Sequence, residues 1–141
     1  MSSDLFRLAL YGYPMTEFIA PPCLEQIDIL FQDEHLLVIN KPSGLLSLSG
    51  KNPLNVDSVH YRLIKDFPGC TLIHRLDFGT SGIMLVALNK FINGLLTKQF
   101  QNNEVDKTYI ALLLGELSCL EGDIKASIAK GEFPLMKVCE T

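Results

Sequence analysis

The pattern of apolar and polar positions predicts alternating strands and helices from residue 27 onward. Apolar runs typical of strands occupy 27–31, 36–39, 71–73, 83–88 and 107–114, and a weaker alternation covers 123–129. The polar residues between the first two runs predict a hairpin. The proline and glycine that follow the second run are expected to end that strand.

Two segments have the period of amphipathic helices. The first has apolar residues at helical spacing, namely Val56, Val59, Leu63 and Phe67. Asn55 is suited to cap this helix, and the proline and glycine at 68–69 would end it. The second helix is predicted over 90–101, with Gly94 in its interior as a weakening residue.

The predicted order of elements is β-β-α-β-β-α-β-β. Strands and helices mixed in this way indicate an α+β domain, in which helices pack on a sheet. We assign residues 27–141 to this domain. Residues 1–26 contain prolines and show no sustained period, so they are predicted to form an irregular N-terminal arm.

The composition is that of an ordinary globular domain. The 141 residues are 48% hydrophobic and 20% charged, which excludes a disordered or low-complexity chain. No apolar run approaches the roughly 20 residues that a membrane-spanning helix needs. The first residues lack the basic and apolar stretches of a secretory signal, so a cytoplasmic protein without a membrane partner is expected.

The net charge of −4 hides an uneven distribution of charged residues. Residues 1–40 carry one basic and six acidic side chains, whereas residues 41–110 carry eight basic and five acidic ones. The acidic balance argues mildly against a nucleic-acid partner, and the cationic middle weakens that argument. From charge alone, a solvated face with scattered lysines is the favoured interpretation.

The four cysteines give no sign of a metal or redox site. No C-x-x-C pair occurs and the three histidines are not clustered, so the spacings of zinc sites and thioredoxin-like motifs are missing. We expect these thiols to behave as inert apolar residues.

The segment 74–82, HRLDFGTSG, carries the candidate chemistry. His74, Arg75 and Asp77 lie within four positions, between two strands that are predicted to be buried. Charged groups beside a core need either partners or a function. In a structural alternative, the Asp77 carboxylate accepts hydrogen bonds from the backbone of residues 79–81 and pins the turn. The glycines of the segment match neither the G-x-S-x-G elbow of hydrolases nor a phosphate-binding P-loop.

This segment closely resembles the H-R-L-D-x-x-T-S-G signature of RluA-type RNA pseudouridine synthases. Residues 38–45, VINKPSGL, resemble the V-x-N-K-P-x-G-L motif of the same family, and residues 107–111, KTYIA, resemble its K-x-Y motif. The resemblance extends over residues 27–141. It implies a mixed, mainly antiparallel sheet and a cofactor-free isomerisation of uridine to pseudouridine. The implied partner is structured RNA, namely 23S-type ribosomal RNA, transfer RNA or both.

The resemblance also implies roles for five residues. It makes Asp77 the catalytic carboxylate, which attacks C1′ of the ribose or acts through a glycal intermediate. Arg75 matches the arginine associated with the space that the flipped base vacates, and Tyr109 matches the tyrosine that stacks on the target base. From the residues alone, a salt bridge would explain Arg75, and a core position in a strand would explain Tyr109. His74 is expected to bind substrate, and Lys41 is expected to bind substrate, to position the backbone or to shape the site.

One family motif has no counterpart in the sequence. Members of the family continue past the equivalent of Thr141 with a G-R-x-H-Q-L-R-type motif, which supplies a basic partner for the catalytic aspartate. Because the 141 residues do not contain it, the chain alone is expected to be inactive or nearly so. Two rival interpretations stay open: a non-catalytic RNA-binding module of the same fold, and a purely structural fragment.

Overall fold

A computed structural model of the protein describes residues 18–131 and 136–139. The chain divides into two units, one formed by residues 18–107 and the other containing residues 108–141. Within the described residues, the first unit holds a four-stranded sheet and two α-helices, and the second holds a two-stranded sheet. The architecture is therefore α+β, as the pattern of elements predicts, and the paired strands described are antiparallel, where the resemblance implies a mixed, mainly antiparallel sheet.

The larger sheet contains strands β1 (Asp28–Gln32), β2 (Leu36–Lys41), β3 (Thr71–Leu72) and β4 (Gly82–Ala87). Their order is β1-β2-β4-β3, and every neighbouring pair is antiparallel. The predicted β1–β2 hairpin is confirmed. The carboxylate of Asp33 closes it by accepting the backbone N–H groups of His35 and Leu36, both at 2.8 Å.

The pairing of β2 with β4 brings two of the sequence motifs together. The strands pair along their whole length, from Leu36 opposite Ala87 to Lys41 opposite Gly82. Lys41 ends β2, and Gly82 begins β4 directly after the segment that carries Asp77. The register therefore places the residues that follow β2 beside the loop that precedes β4.

Helix α1 (Val59–Leu63) is shorter than the periodicity predicts. It begins after Ser58, whose hydroxyl accepts the backbone N–H of Tyr61 at 3.1 Å. The prediction of Asn55 as its N-cap is wrong, because Asn55 ends a preceding 3₁₀-helix, Pro53–Asn55, and is buried. Proline at the first position of that short helix favours an independent turn before α1 begins.

Helix α2 (Lys90–Gln101) has the bounds that the sequence predicts. The side chain of Asn89 caps its N-terminus by accepting the backbone N–H of Ile92 at 3.0 Å. Gly94 is tolerated in its interior. In the described part of the chain, no helix has both the length and the apolar character needed to cross a membrane.

The core of the first unit lies between one face of the sheet and the segments that contain α1. Side chains that alternate along β2 and β4 supply four of its nine buried apolar residues, as expected for strands with one covered face. The buried apolar residues are Leu37, Ile39, Leu45, Val59, Leu63, Cys70, Leu76, Met84 and Val86.

The prediction of a strand over 107–114 is wrong, because these residues form no helix or strand. Within the described residues no strand pairs with them, and their side chains are exposed, with Ile110 and Leu112 at 102%. The strands of the second unit lie further along, at β5 (Ser127–Lys130) and β6 (Met136–Cys139), which pair antiparallel. The weak alternation over 123–129 overlaps β5, and β6 had no signal in the sequence.

Of the predicted N-terminal arm, residues 1–17 lie outside the described residues. Residues 18–26 contain no helix or strand. They nevertheless follow a defined path along the first unit, because backbone groups of Phe18 and Ala20 bond to the side chain of Asn55. The division of the chain at residue 26 stays a prediction.

Candidate active site

The site is built on the loop of residues 73–81, which joins β3 to β4. Two serines from the segment after β2 hold this loop. The Ser47 hydroxyl donates to the carbonyl of Leu76 at 2.6 Å and accepts the N–H of the same residue at 3.2 Å. The Ser43 hydroxyl donates to the carbonyl of Gly79 at 2.8 Å. The backbone on both sides of Asp77 is therefore fixed by side chains of another segment.

Between these two contacts, Gly44 holds the carbonyl of Phe78 with its backbone N–H, at 2.9 Å. Gly44 adopts a φ of 75°, a backbone conformation that residues other than glycine rarely adopt. The carbonyl of Asp77 accepts the N–H of Thr80 at 3.1 Å within the turn. Four consecutive carbonyls, those of residues 76–79, thus have hydrogen-bond donors.

Lys41 lies under the loop and is fully buried. Its ammonium donates to three carbonyl oxygens: Pro42 at 2.9 Å, Leu45 at 2.7 Å and Phe78 at 3.3 Å. Burial lowers the pKa of Lys41, and nearby Cys23 and Asp77 act in the opposite direction. The observed contacts use the ammonium to position backbone, which is one of the roles that the sequence allows. A direct contact of Lys41 with substrate stays a prediction.

The carboxylate of Asp77 is exposed, and none of the described residues gives it a hydrogen bond or an ion pair. The structural alternative, in which backbone groups of 79–81 bond to this carboxylate, is wrong, because the N–H of Thr80 bonds to the main-chain carbonyl of Asp77. The residue is therefore held by its backbone, and its carboxylate is left for other partners.

Arg75 is also exposed, and the described residues offer it no ion pair. The salt bridge to Asp77 that would explain it without a substrate is not formed. Arg75 lines a surface cleft of about 370 Å³ together with residues 71–74, Leu48 and His60. Arg75 thus lies at a surface cleft and on the same loop as Asp77, and Asp77 is not among the residues that line this cleft.

His74 has a well-defined structural environment. Its Nε2 accepts the backbone N–H of Leu85 at 3.0 Å, which extends the hydrogen bonding of β4 past the end of β3. Its ring stacks on Phe100 of α2, with centroids 4.7 Å apart and planes inclined by 18°. Since Nε2 is an acceptor, the imidazole is neutral with its proton on Nδ1. Substrate binding by His74 stays a prediction.

Stability is expected to fall as the pH drops through the histidine range, and His74 supplies the reason. Burial lowers the pKa of His74 below its usual 6.5, and the charge of Lys107 lowers it further. Between the folded pKa and 6.5 the unfolded chain binds more protons, so the free energy of unfolding decreases on acidification and levels off below the folded pKa. Asp33 and Asp57 have a pKa below 3.8 and lose their contribution at lower pH.

Urea unfolding at about pH 7.5 and about pH 5.5, on either side of the ordinary histidine pKa, tests the effect. His74→Gln places an amide near the same N–H and does not titrate, so its loss of stability between the two pH values should be smaller than that of the wild type. His35→Gln is the matched control, since His35 is half-exposed and lies beside Glu34 on the surface. An equal loss in wild type and His74→Gln would refute this assignment.

Tyr109 falls in the second unit of the chain, whereas Lys107 of the same motif belongs to the first. Tyr109 is exposed, so the interpretation as a core residue of a strand is wrong. Stacking of Tyr109 on a target base stays a prediction.

Among the described residues, no group of three or more His, Cys, Asp and Glu side chains is arranged to hold a metal ion.

Sequence reasoning missed the residues that hold the loop. Ser43, Gly44 and Ser47 received no role, although the first two lie within the VINKPSGL segment. One signal could have found them: the VINKPSGL segment runs past the end of β2, and β2 pairs with the strand that follows the HRLD segment. Residues after β2 are therefore expected beside the loop that carries Asp77. Two of the three family-like motifs are thus parts of one site.

Comparison with known proteins identifies the family of the chain. The sequence profile of the family described as RNA pseudouridylate synthase matches residues 35–140, which is most of the chain and includes both motifs of the site. The chain belongs to the RNA pseudouridylate synthase family. Within the family, it is similar to proteins named "Dual-specificity RNA pseudouridine synthase RluA".

Two such relatives illustrate the extent of the match. The one from Yersinia pestis is 46% identical over 113 residues, which are 79% of this chain and 55% of the relative. The one from Escherichia coli K12 is 41% identical over 121 residues, 84% of this chain and 55% of the relative. The chain therefore spans about half the length of these relatives. A solved structure titled "Human RNA Pseudouridylate Synthase Domain Containing 1" aligns with 58% of the chain and 30% of its own, at 30% identity and a TM-score of 0.44.

Proposed function

We propose that this chain supplies the catalytic aspartate of an RNA pseudouridine synthase, and that this residue is Asp77. The observation that carries the proposal is the contrast at this position. The backbone of residues 76–79 is held at every carbonyl, whereas the carboxylate between them has no partner among the described residues. A backbone held by hydrogen bonds on both sides of an exposed carboxylate suits a group that must meet a reacting atom in a fixed geometry.

The reaction can proceed with one carboxylate and without a cofactor. The N1–C1′ glycosidic bond of a uridine breaks, the detached uracil turns, and a C5–C1′ bond forms. The hydrogen on C5 leaves as a proton and N1 gains one, so atoms and electrons balance without oxidation or hydrolysis. Asp77 would either form a covalent bond to C1′ or remove a proton from the ribose to give a glycal; both routes use the same carboxylate.

Arg75 is proposed to bind RNA at the cleft that it lines, two residues before Asp77 in the chain. A guanidinium forms paired hydrogen bonds with phosphate and stacks on bases, and this one is exposed and has no ion-pair partner among the described residues. Tyr109 is proposed to stack on the target base, on the strength of its match to the family motif. The proposed partners are 23S-type ribosomal RNA and transfer RNA, and the proposed location is the cytoplasm, both from the family resemblance. The name "dual-specificity" of the relatives fits more than one RNA substrate.

The test is release of tritium from RNA labelled at C5 of uridine, because formation of the C5–C1′ bond expels that hydrogen. Two proteins are assayed: the 141-residue chain, and a fusion of this chain to the region of the Yersinia pestis relative that follows the matched part. The fusion is included because the relatives are about twice as long. Release from transfer RNA or ribosomal RNA supports the proposal, and absence of release by both proteins on both RNAs would overturn it.

Replacing Arg75 with alanine tests the binding role separately. Since Arg75 is exposed and bonded to no described residue, the free energy of unfolding should change by less than about 0.5 kcal/mol. RNA affinity should decrease, and the slope of log affinity against log salt should fall by about one unit. Lys51→Ala is the control for loss of a surface charge. Unchanged affinity and slope in Arg75→Ala would contradict the assignment.

A further inference from the structure

Residues 18–25, which we call the strap, lie along the first unit and are fastened to it at two places. The first fastening is the side chain of Asn55, which donates to the carbonyl of Phe18 at 2.7 Å and accepts the N–H of Ala20 at 2.8 Å. Asn55 is itself buried and held in place, since its backbone bonds to Gly50 and Asn52 at 2.8 and 2.9 Å. One amide side chain thus pairs with the strap as a neighbouring strand would.

The second fastening is Arg62 of α1. Its guanidinium donates to the carbonyls of Cys23 and Glu25, at 2.7 and 2.6 Å. Nε and Nη2 of the same guanidinium also donate to the two carboxylate oxygens of Asp57, at 2.7 and 2.6 Å, so Nη2 serves both Asp57 and Cys23. Both fastenings bind the backbone of the strap, so they hold its path independently of the side chains it carries.

The N-terminal residue of the strap, Phe18, contacts the loop of residues 73–81. The ring of Phe18 meets the ring of Phe78 edge to face, with centroids 5.0 Å apart and planes inclined by 71°. Phe78 is the residue directly after Asp77, and its carbonyl is the one that Lys41 and Gly44 hold. Beneath the strap, next to Asn55 and Leu45, a cavity of about 190 Å³ remains. Close packing between the strap and the first unit is incomplete at this cavity. The hydrogen bonds of Asn55 and Arg62 to the strap backbone therefore set its position.

We propose that Phe18 is a positioning residue for the isomerisation. The strap holds its ring against Phe78, and this contact limits the motion of the loop and so the direction in which Asp77 presents its carboxylate. The carbonyls of the loop accept hydrogen bonds from other segments. Phe18 adds an aromatic contact to Phe78, the residue that follows Asp77. The proposal rests on the proposed function of Asp77, and it adds a contact outside the motifs of the family.

Two readouts test it, and one of them does not depend on activity. Amide hydrogen exchange in the 141-residue chain reports the loop through the N–H groups of Gly44 and Thr80, which bond to the carbonyls of Phe78 and Asp77. Phe18→Ala and Asn55→Ala should accelerate exchange at both amides. Phe18→Tyr, which keeps the ring, should restore protection. Leu24→Ala is the control, because Leu24 belongs to the strap but is 93% exposed.

The second readout is tritium release by whichever of the two assay proteins is active. In Phe18→Ala we expect kcat to fall by about 10-fold or more, with little change in KM, because misplacement of a reacting group slows the chemical step. The Phe18→Ala/Asn55→Ala double variant should lose no more than the larger single effect, since both changes release the same contact. Phe18→Tyr should recover kcat.

Unchanged exchange at Gly44 and Thr80 in Phe18→Ala would overturn the proposal, as would accelerated exchange with an unchanged kcat. A fall in kcat that tracks a loss of melting temperature and is not rescued by Phe18→Tyr would also overturn it. If the wild-type proteins release no tritium, the proposed function fails by itself. The exchange measurement then still decides whether Phe18 orders the loop.

Discussion

Replacing Asp77 with asparagine is expected to lower the rate of pseudouridine formation by roughly 10⁴-fold or more, the loss seen when a reacting group is removed from an enzyme. The asparagine amide has nearly the shape of the carboxylate but can neither bond to C1′ nor accept the proton. The folded structure should be preserved, because the described residues make no hydrogen bond or ion pair with this carboxylate. Single-turnover tritium release, with protein in excess over labelled RNA, measures the effect.

Affinity for the RNA distinguishes catalysis from the two rival interpretations. If Asp77 is catalytic, Asp77→Asn should keep both RNA binding and the free energy of unfolding while product formation disappears. Asp66→Asn is the matched control, since Asp66 is exposed and the change removes the same charge. Parallel loss of binding and product in Asp77→Asn would favour a binding module. Absence of any salt-sensitive RNA affinity in the wild type would favour a structural fragment.

Replacing Lys41 with methionine is expected to destabilise the first unit by about 2–4 kcal/mol, because buried carbonyls lose a charged donor. Methionine matches the length of the lysine stem and leaves the carbonyls of Pro42 and Leu45 without the Nζ that now lies 2.9 and 2.7 Å away. The carbonyl of Phe78 keeps the N–H of Gly44, so the loop loses one of its two donors there. Urea unfolding measures the change.

Lys51→Met is the control for this prediction, since Lys51 is exposed and the substitution removes the same charge. It should leave the free energy of unfolding within about 0.5 kcal/mol of the wild type. If Lys41→Met is as stable as Lys51→Met, the ammonium does not hold the loop. Lys41 would then be available for the substrate contact that the sequence also allows.

Much of the fold follows from local sequence patterns. The β1–β2 hairpin, β4 and the bounds of α2 were predictable because strong apolar periodicity coincides there with caps and turn residues, such as Asn89 before α2. The prediction of a strand over 107–114 was wrong because it rested on composition alone. Its composition favours a strand, but a strand also needs a hydrogen-bonded partner, and composition does not reveal whether one is present.

The candidate site was predictable in part. The HRLDFGTSG segment singles out Asp77 and Arg75, and the structure leaves both side chains available. It could not be read from the sequence that His74 accepts a hydrogen bond from β4, or that Asn55 binds the strap instead of capping α1. The partners in these two contacts are separated in the sequence by 11 and 37 positions, respectively. Only the folded chain brings them together.

The most direct test of the central claim is nucleoside analysis of one transfer RNA after incubation with the fusion protein and with its Asp77→Asn variant. Digestion and chromatography separate pseudouridine from uridine. The account predicts pseudouridine from the wild-type fusion and none from the variant, at equal RNA occupancy. Equal amounts of pseudouridine from both proteins would contradict the claim that the carboxylate of Asp77 carries out the reaction.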